Sequence, residues 1–249
     1  MIKIYITLLL GLLLVSCNGQ KRQKDVSVVA TTAWTAAIAE AAGADDVVVL
    51  APMEMEHPSE YELKPGDIKM LLNAKLIVYA GYEVMTERLK TGLDIPSEKL
   101  LLVETDYSYE AIEKSVMAIA NRLGTTTVAE ENLLEISQAF EEGRKAVAEK
   151  GLSKESILVH LFQVSLVKEL GMQPTTVFGP AAPEASEIAG VAKMNYALIL
   201  DNIHNPVGQP FHEVLPAARY VQLLNFPGMN GTKNLSDVIR YNVTQISGQ

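Results

Sequence analysis

The chain has 249 residues, with 21 Lys and Arg against 30 Asp and Glu, giving a formal net charge of −9 at pH 7. That balance excludes nucleic acid as a partner, because no basic patch beyond one short stretch near the amino terminus is available to neutralise phosphates. The length allows one large domain or two lobes, and an acidic surface favours the approach of cations.

Residues 1–16 carry a single Lys and an apolar run from Ile4 to Val15. Such a segment is too short for a stable membrane span and reads as a secretory signal peptide. Leu14-Val15-Ser16-Cys17 resembles a bacterial lipobox, in which the Cys is lipidated and becomes the mature amino terminus. Cys17 is the only cysteine, so no disulfide forms within the chain and lipidation gives the residue a use. Residues 17–25 are polar and basic, as suits a tether between lipid and domain. The expected location is outside the cytoplasm, lipid-anchored on the outer face of the cytoplasmic membrane or in the periplasm.

Beyond the tether, short apolar runs alternate with helical patterns. Strands are expected at 26–30, 46–50, 76–81 and 100–103, with helices at 33–42, 67–72 and 82–90. From Tyr109 to Leu123, and again from about Thr127 to Lys150, the pattern is helical with no strand between. The second stretch would span roughly 35 Å at about 1.5 Å per residue, enough to connect two lobes. Alternation then restarts, with strands at 156–160, 175–178, 197–201 and 220–224. Helices are expected at 161–170, 183–193 and 235–246, the last capped by Asn234 or Ser236. The fold class is therefore α/β: two lobes, each a parallel sheet flanked by helices, joined by one long backbone helix. The divisions are an amino-terminal lobe at 26–124, a connecting helix at 125–151 and a carboxyl-terminal lobe at 152–249.

Residues 51–67 stand out. Three prolines and a glycine keep the segment from being helix or strand, and it leaves the end of a strand, where open α/β sheets bind ligands. It carries His57 among Glu54, Glu56, Glu60 and Glu62. A neutral imidazole among carboxylates suits zinc, or manganese with more oxygen ligands. Met53 and Met55 raise copper(I), although methionines at a loop base more often pack. The other histidines are His160, His204 and His212. His57 and His160 take corresponding places, one after a strand of the first lobe and one ending a strand of the second, and a cleft would bring them together. His204 and His212 either approach the same cleft or lie on the surface. No Gly-x-Ser-x-Gly, phosphate-cradling loop or His-Glu-x-x-His occurs, so the chain is read as a binder and not an enzyme.

Several segments, in order, resemble the zinc- and manganese-binding solute receptors of ABC importers. They are Val28-Val29-Ala30-Thr31, Glu56-His57, Tyr61-Glu62-Leu63-Lys64-Pro65-Gly66-Asp67, Ala74 to Gly81, Val159-His160, Pro183-Glu184-Ala185-Ser186 and Arg240-Tyr241-Asn242. The resemblance implies a lipoprotein of two α/β lobes that delivers its ion to a permease driven by an ATPase, and that works as a monomer. It also implies four metal ligands. The first matches His57, which here lies further from Tyr61 than is usual, and the third matches His160. The second, usually a His, falls within Val103 to Tyr107, where Glu104 or Asp106 substitutes. The fourth, usually an Asp, falls on Asn225. Zinc is the first expectation for cargo and manganese the second. The alternatives are an iron chelate or corrinoid carried by the same fold, and a surface lipoprotein with an adhesive or structural role.

Overall fold

The computed structural model describes residues 28–248 apart from Glu54 and Glu56, so the signal peptide, Cys17 and the tether lie outside the described residues. The first sheet is built from β1 (Val28–Ala30), β2 (Val47–Val49), β3 (Leu76–Tyr79) and β4 (Leu100–Leu102), all parallel in the order β2-β1-β3-β4. The second contains β5 (Ile157–His160), β6 (Thr176–Phe178), β7 (Leu198–Asn202) and β8 (Arg219–Leu223), again parallel, in the order β6-β5-β7-β8. The two lobes repeat one topology, although no sequence repeat is visible.

Continuous apolar runs make these sheets because both faces are covered. Val28 and Val78 turn to one side of the first sheet, and Val29 and Ile77 to the other. In β7, Leu198 and Leu200 share a cluster that Ile199, between them, does not join. Helices α1 (Ala33–Ala41), α2 (Pro65–Asn73) and α3 (Tyr109–Leu123) serve the first lobe. The 24-residue α4 (Thr126–Glu149) follows, as the sequence predicts. Helices α5 (Val164–Glu169), α6 (Ala185–Val191), α7 (Gln209–Val214) and α8 (Leu235–Ser247) serve the second lobe. Asn234, rather than Ser236, caps α8 by accepting from the Asp237 N–H.

One core runs through both lobes. A single cluster joins Val28, Trp34 and Ile119 of the first lobe, Phe140 of α4, and Leu166, Leu200 and Ile246 of the second. At Gly143, α4 passes so close to its neighbours that a Cβ would lie 2.5 Å from Leu170 Cδ2 and 2.6 Å from Val243 Cγ2.

Three expectations need correction. No regular α-helix spans residues 82–90; there is a turn, then a short wide helical turn at Arg88–Gly92. The cause is the Glu83 side chain, which accepts from the Ala80 and Gly81 N–H groups and folds the chain back on itself. The helix expected at 161–170 begins as a 3-10 turn, Leu161–Gln163, because His160 Nδ1 takes the Phe162 N–H. Helix α7, with Pro210 in its first turn, adds an element to those expected from the sequence.

Candidate functional site

Parallel strands send all their following loops to one edge of each sheet, and the expected ligands lie on those loops. In the first lobe the edge is organised by a buried carboxylate. Glu83 accepts from Thr31 Oγ1 at 2.5 Å, Ala80 N at 2.8 Å, Gly81 N at 2.6 Å and Thr86 Oγ1 at 3.2 Å. The next residue, Val84, donates its N–H to the Ser59 carbonyl at 2.8 Å, which ties this knot to the loop carrying His57.

His57 itself is exposed at the start of the short turn Pro58–Glu60. Its ring makes no hydrogen bond to any described residue, whereas Tyr61 Oη donates to Asp67 and anchors the end of the loop. Met53 reaches the other lobe, where its Sδ fills the space a Cβ on Gly228 would need, only 2.6 Å away. The left-handed φ of +113° at Gly228 also excludes a side chain there. Met55 is half-buried against the first-lobe core, so both methionines serve packing in this structure.

The remaining expected ligands are engaged elsewhere. Glu104 is exposed and paired with Lys114 on its own lobe. Asp106 accepts from Ser108 N at 2.7 Å and from the Ser165 hydroxyl, so it bridges the lobes. A second bridge lies beside it, from Tyr109 N to Glu169 Oε2 at 3.2 Å, with Arg144 of α4 holding Glu169 at 3.0 Å.

His160 is fully buried at the end of β5. Its Nδ1 accepts from Phe162 N at 3.1 Å, so the neutral ring carries its proton on Nε2, which donates to Asn205 Oδ1 at 3.0 Å. Burial lowers its pKa, against the opposing pull of the Asn205 bond and the Asp201 charge. Gly179, at φ +76°, lies so near that a Cβ would meet His160 Nε2 at 2.7 Å. Asn225 Oδ1 is taken by Gln163 Nε2 at 2.6 Å. Among the described residues no three His, Cys, Asp or Glu side chains converge.

The placement of the histidines also differs from expectation. His160 ends β5, the counterpart of β1, whereas His57 follows β2, the counterpart of β6. They share an edge but are not equivalent. His212 stacks on Tyr220 with centroids 5.3 Å apart, and Glu187 accepts from Glu184 N at the start of α6. His204 lies against Phe226, with centroids 3.8 Å apart and rings 25° from parallel. Burial pushes its pKa down to about 4, so its imidazole is neutral at pH 7. Sequence reasoning missed Glu83, Gln163 and Asn202, all buried polar residues following or ending strands. A buried polar residue at that edge is the signal that marks them, and it becomes visible only once the edges are known.

The chain matches no protein-family model and no curated protein by sequence. Solved structures do match. The SBP FpvC of Pseudomonas aeruginosa in complex with Ni2+ superposes with a TM-score of 0.69 at 18% identity, covering 90% of this chain and 96% of that one. The Mn-bound periplasmic metal binding protein of Candidatus Liberibacter asiaticus gives 0.66 at 15%, covering 90% and 98%, and its Cd-bound form gives the same values. At these identities the likeness is one of fold. It is the fold expected from the sequence, two parallel α/β lobes with a long helix between them.

Proposed function

We propose that the chain is the extracytoplasmic solute-binding lipoprotein of an ABC importer, anchored through Cys17. It captures a divalent transition metal between its lobes and hands it to a permease powered by an ATPase. The observation that carries this reading is the meeting of the two loop edges. Met53 of the His57 loop seats on Gly228 of the second lobe, and Asp106 bridges to Ser165. A small cargo held there touches both lobes at once, and of the neighbours of this fold one is named a periplasmic metal binding protein and another is in complex with Ni2+. The chain acts as a binder, with zinc the first choice of cargo and manganese the second. His57, exposed and without a hydrogen-bond partner among the described residues, is the first-lobe ligand.

A second reading keeps the receptor and changes the cargo to an iron chelate or corrinoid. Its support is the second-lobe edge, where Gln163, Asn202, Asn205 and Asn225 supply amides rather than carboxylates, and the exposed side chains of Tyr82 and Phe162. Metal content after incubation with zinc, manganese, iron or copper separates the two. One equivalent of zinc or manganese, lost in His57→Ala, supports metal cargo. No metal retained from any of the four salts rejects it and leaves the chelate reading, which a change in visible absorption on adding a corrinoid would then support.

A further inference from the structure

Four buried side-chain atoms among the described residues have no hydrogen-bond partner: Tyr107 Oη, Gln163 Oε1, Asn202 Nδ2 and His204 Nε2. An orphaned buried polar atom forfeits its hydration without a replacement hydrogen bond, and native proteins leave few of them. Three of these four fall on one edge, at the carboxyl ends of β5 and β7. They are also linked to one another. Gln163 bonds through its Nε2 to Asn225, whose chain neighbour Phe226 stacks on His204. Asn202 Oδ1 in turn accepts from the His204 N–H at 2.9 Å.

The chemistry of the free atoms is specific. Because Gln163 Nε2 is held by Asn225, its Oε1 is a fixed acceptor with nothing to accept from. The His204 ring is held flat against Phe226, which fixes its unpartnered Nε2 in place, and with the ring proton on Nδ1 that atom carries a lone pair. A lone pair on imidazole nitrogen and one on an amide oxygen are donors to a borderline cation. His160 has both ring nitrogens engaged, with Phe162 N and Asn205 Oδ1, and Asn225 Oδ1 already accepts from Gln163 Nε2, whereas Gln163 Oε1 and His204 Nε2 have no partner at all.

Resting on the metal-receptor reading, we infer that Gln163 Oε1 and His204 Nε2 are the second lobe's ligands to the cargo metal. They replace His160 and Asn225, which act as positioning residues: Asn225 aims Gln163, and His160 holds the start of the 161–163 turn and the Asn205 loop. Asn202 Nδ2 donates to a water or anion completing the coordination sphere. Both ligand atoms are shut from solvent, so cargo enters when the loop 226–232 or the Met53 contact is displaced.

The chain has four histidines, which makes imidazole nitrogen shifts readable one by one. The test is a zinc titration of the purified full-length protein followed by nitrogen-15 NMR, with zinc content measured on the same samples. The expected result is a large shift at His204 Nε2 and at His57, with His160 keeping its tautomer. In parallel, His204→Ala and Gln163→Leu are compared with wild type by competition against a chromophoric chelator. His204→Ala is expected to weaken zinc by more than the roughly 10–100-fold that loss of an outer-shell partner costs. Zinc bound with the shift at His160 instead, or a folded His204→Ala of wild-type affinity, overturns this assignment while the receptor reading stands. Wild type binding neither zinc nor manganese overturns the metal-cargo reading and the assignment with it. The NMR arm uses wild type, so it decides even where a variant fails to fold.

Discussion

Glu83→Gln is the substitution whose effect can be worked out most fully from the structure. The wild-type carboxylate accepts four hydrogen bonds, two at each oxygen: Thr31 Oγ1 and Ala80 N at Oε1, and Gly81 N and Thr86 Oγ1 at Oε2. Glutamine keeps one oxygen and turns the other into an NH2 group. On either side, the threonine hydroxyl can rotate to accept, but the backbone N–H cannot. Whichever way the amide points, one backbone N–H is left buried against a second donor. That costs about 1–3 kcal/mol for the orphaned group, and the surviving bonds lose their charge assistance. We expect about 2–4 kcal/mol of lost stability from a change of one atom. Urea denaturation followed by circular dichroism checks it, with an unchanged m-value locating the effect in the native state. The same knot positions Val84, whose N–H holds Ser59 in the His57 loop, so metal affinity should fall together with stability. A Glu83→Gln protein within about 0.5 kcal/mol of wild type would refute the reasoning, because that is the range expected of a surface change.

Three other outcomes are expected. Gly143→Val should cost at least about 2 kcal/mol in thermal unfolding, since its side chain would collide with Leu170 and Val243 and the gain in helix propensity over glycine is under about 1 kcal/mol. Ser165→Ala removes the hydroxyl bridging to Asp106, and it should raise the rate of metal release while costing only about 1 kcal/mol of stability, as measured by stopped-flow transfer to a chelator. Stability of the metal-free protein should also depend on acid through His160 and His204, whose folded pKa values lie below that of the unfolded chain. Their contribution is complete above about pH 6.5 and is lost as pH falls towards the folded value of about 4 at His204, on the order of 2 kcal/mol for that ring, which His204→Phe should abolish in denaturation midpoints compared at pH 7 and pH 4.5.

The sheets were legible because a parallel strand buried on both faces leaves an apolar run that needs no knowledge of its partners, as at Leu76–Tyr79 and Leu198–Leu200. The 24-residue α4 was legible from length and period alone. The turn at 82–90 was not, because Glu83, which folds the chain back onto the Ala80 and Gly81 N–H groups, is held in that pose by Thr31, 52 positions away. The site was legible only as a set of loops. His160 has the right residue type at the right strand end, yet its donor atom is consumed by Phe162 N, a bond set by local backbone geometry that no spacing argument anticipates. Gln163 looked like one more position in a helix, and its role emerges from a contact with Asn225 across to β8.

The continuity of the core bears on how cargo leaves. If each lobe had its own core, a hinge between them could open widely at little cost. Instead, α4 packs against α1 and α3 on one side and α8 on the other, and one apolar cluster runs from Val28 to Ile246 through it. Opening the lobes as rigid bodies would expose that shared surface at about 25 cal/mol per Å2 of apolar area. The contacts at the cleft edge are far smaller: a methionine on a glycine, a hydroxyl on a carboxylate, and one backbone N–H on Glu169. Motion takes the cheaper route, so release should proceed by lifting the 51–64 and 226–232 loops over a nearly fixed frame. Hydrogen exchange that quickens in those two loops on metal removal, with α4 and α8 unchanged, is the outcome this mechanism requires. Uniform quickening along α4 would instead mean that the lobes part through their common core.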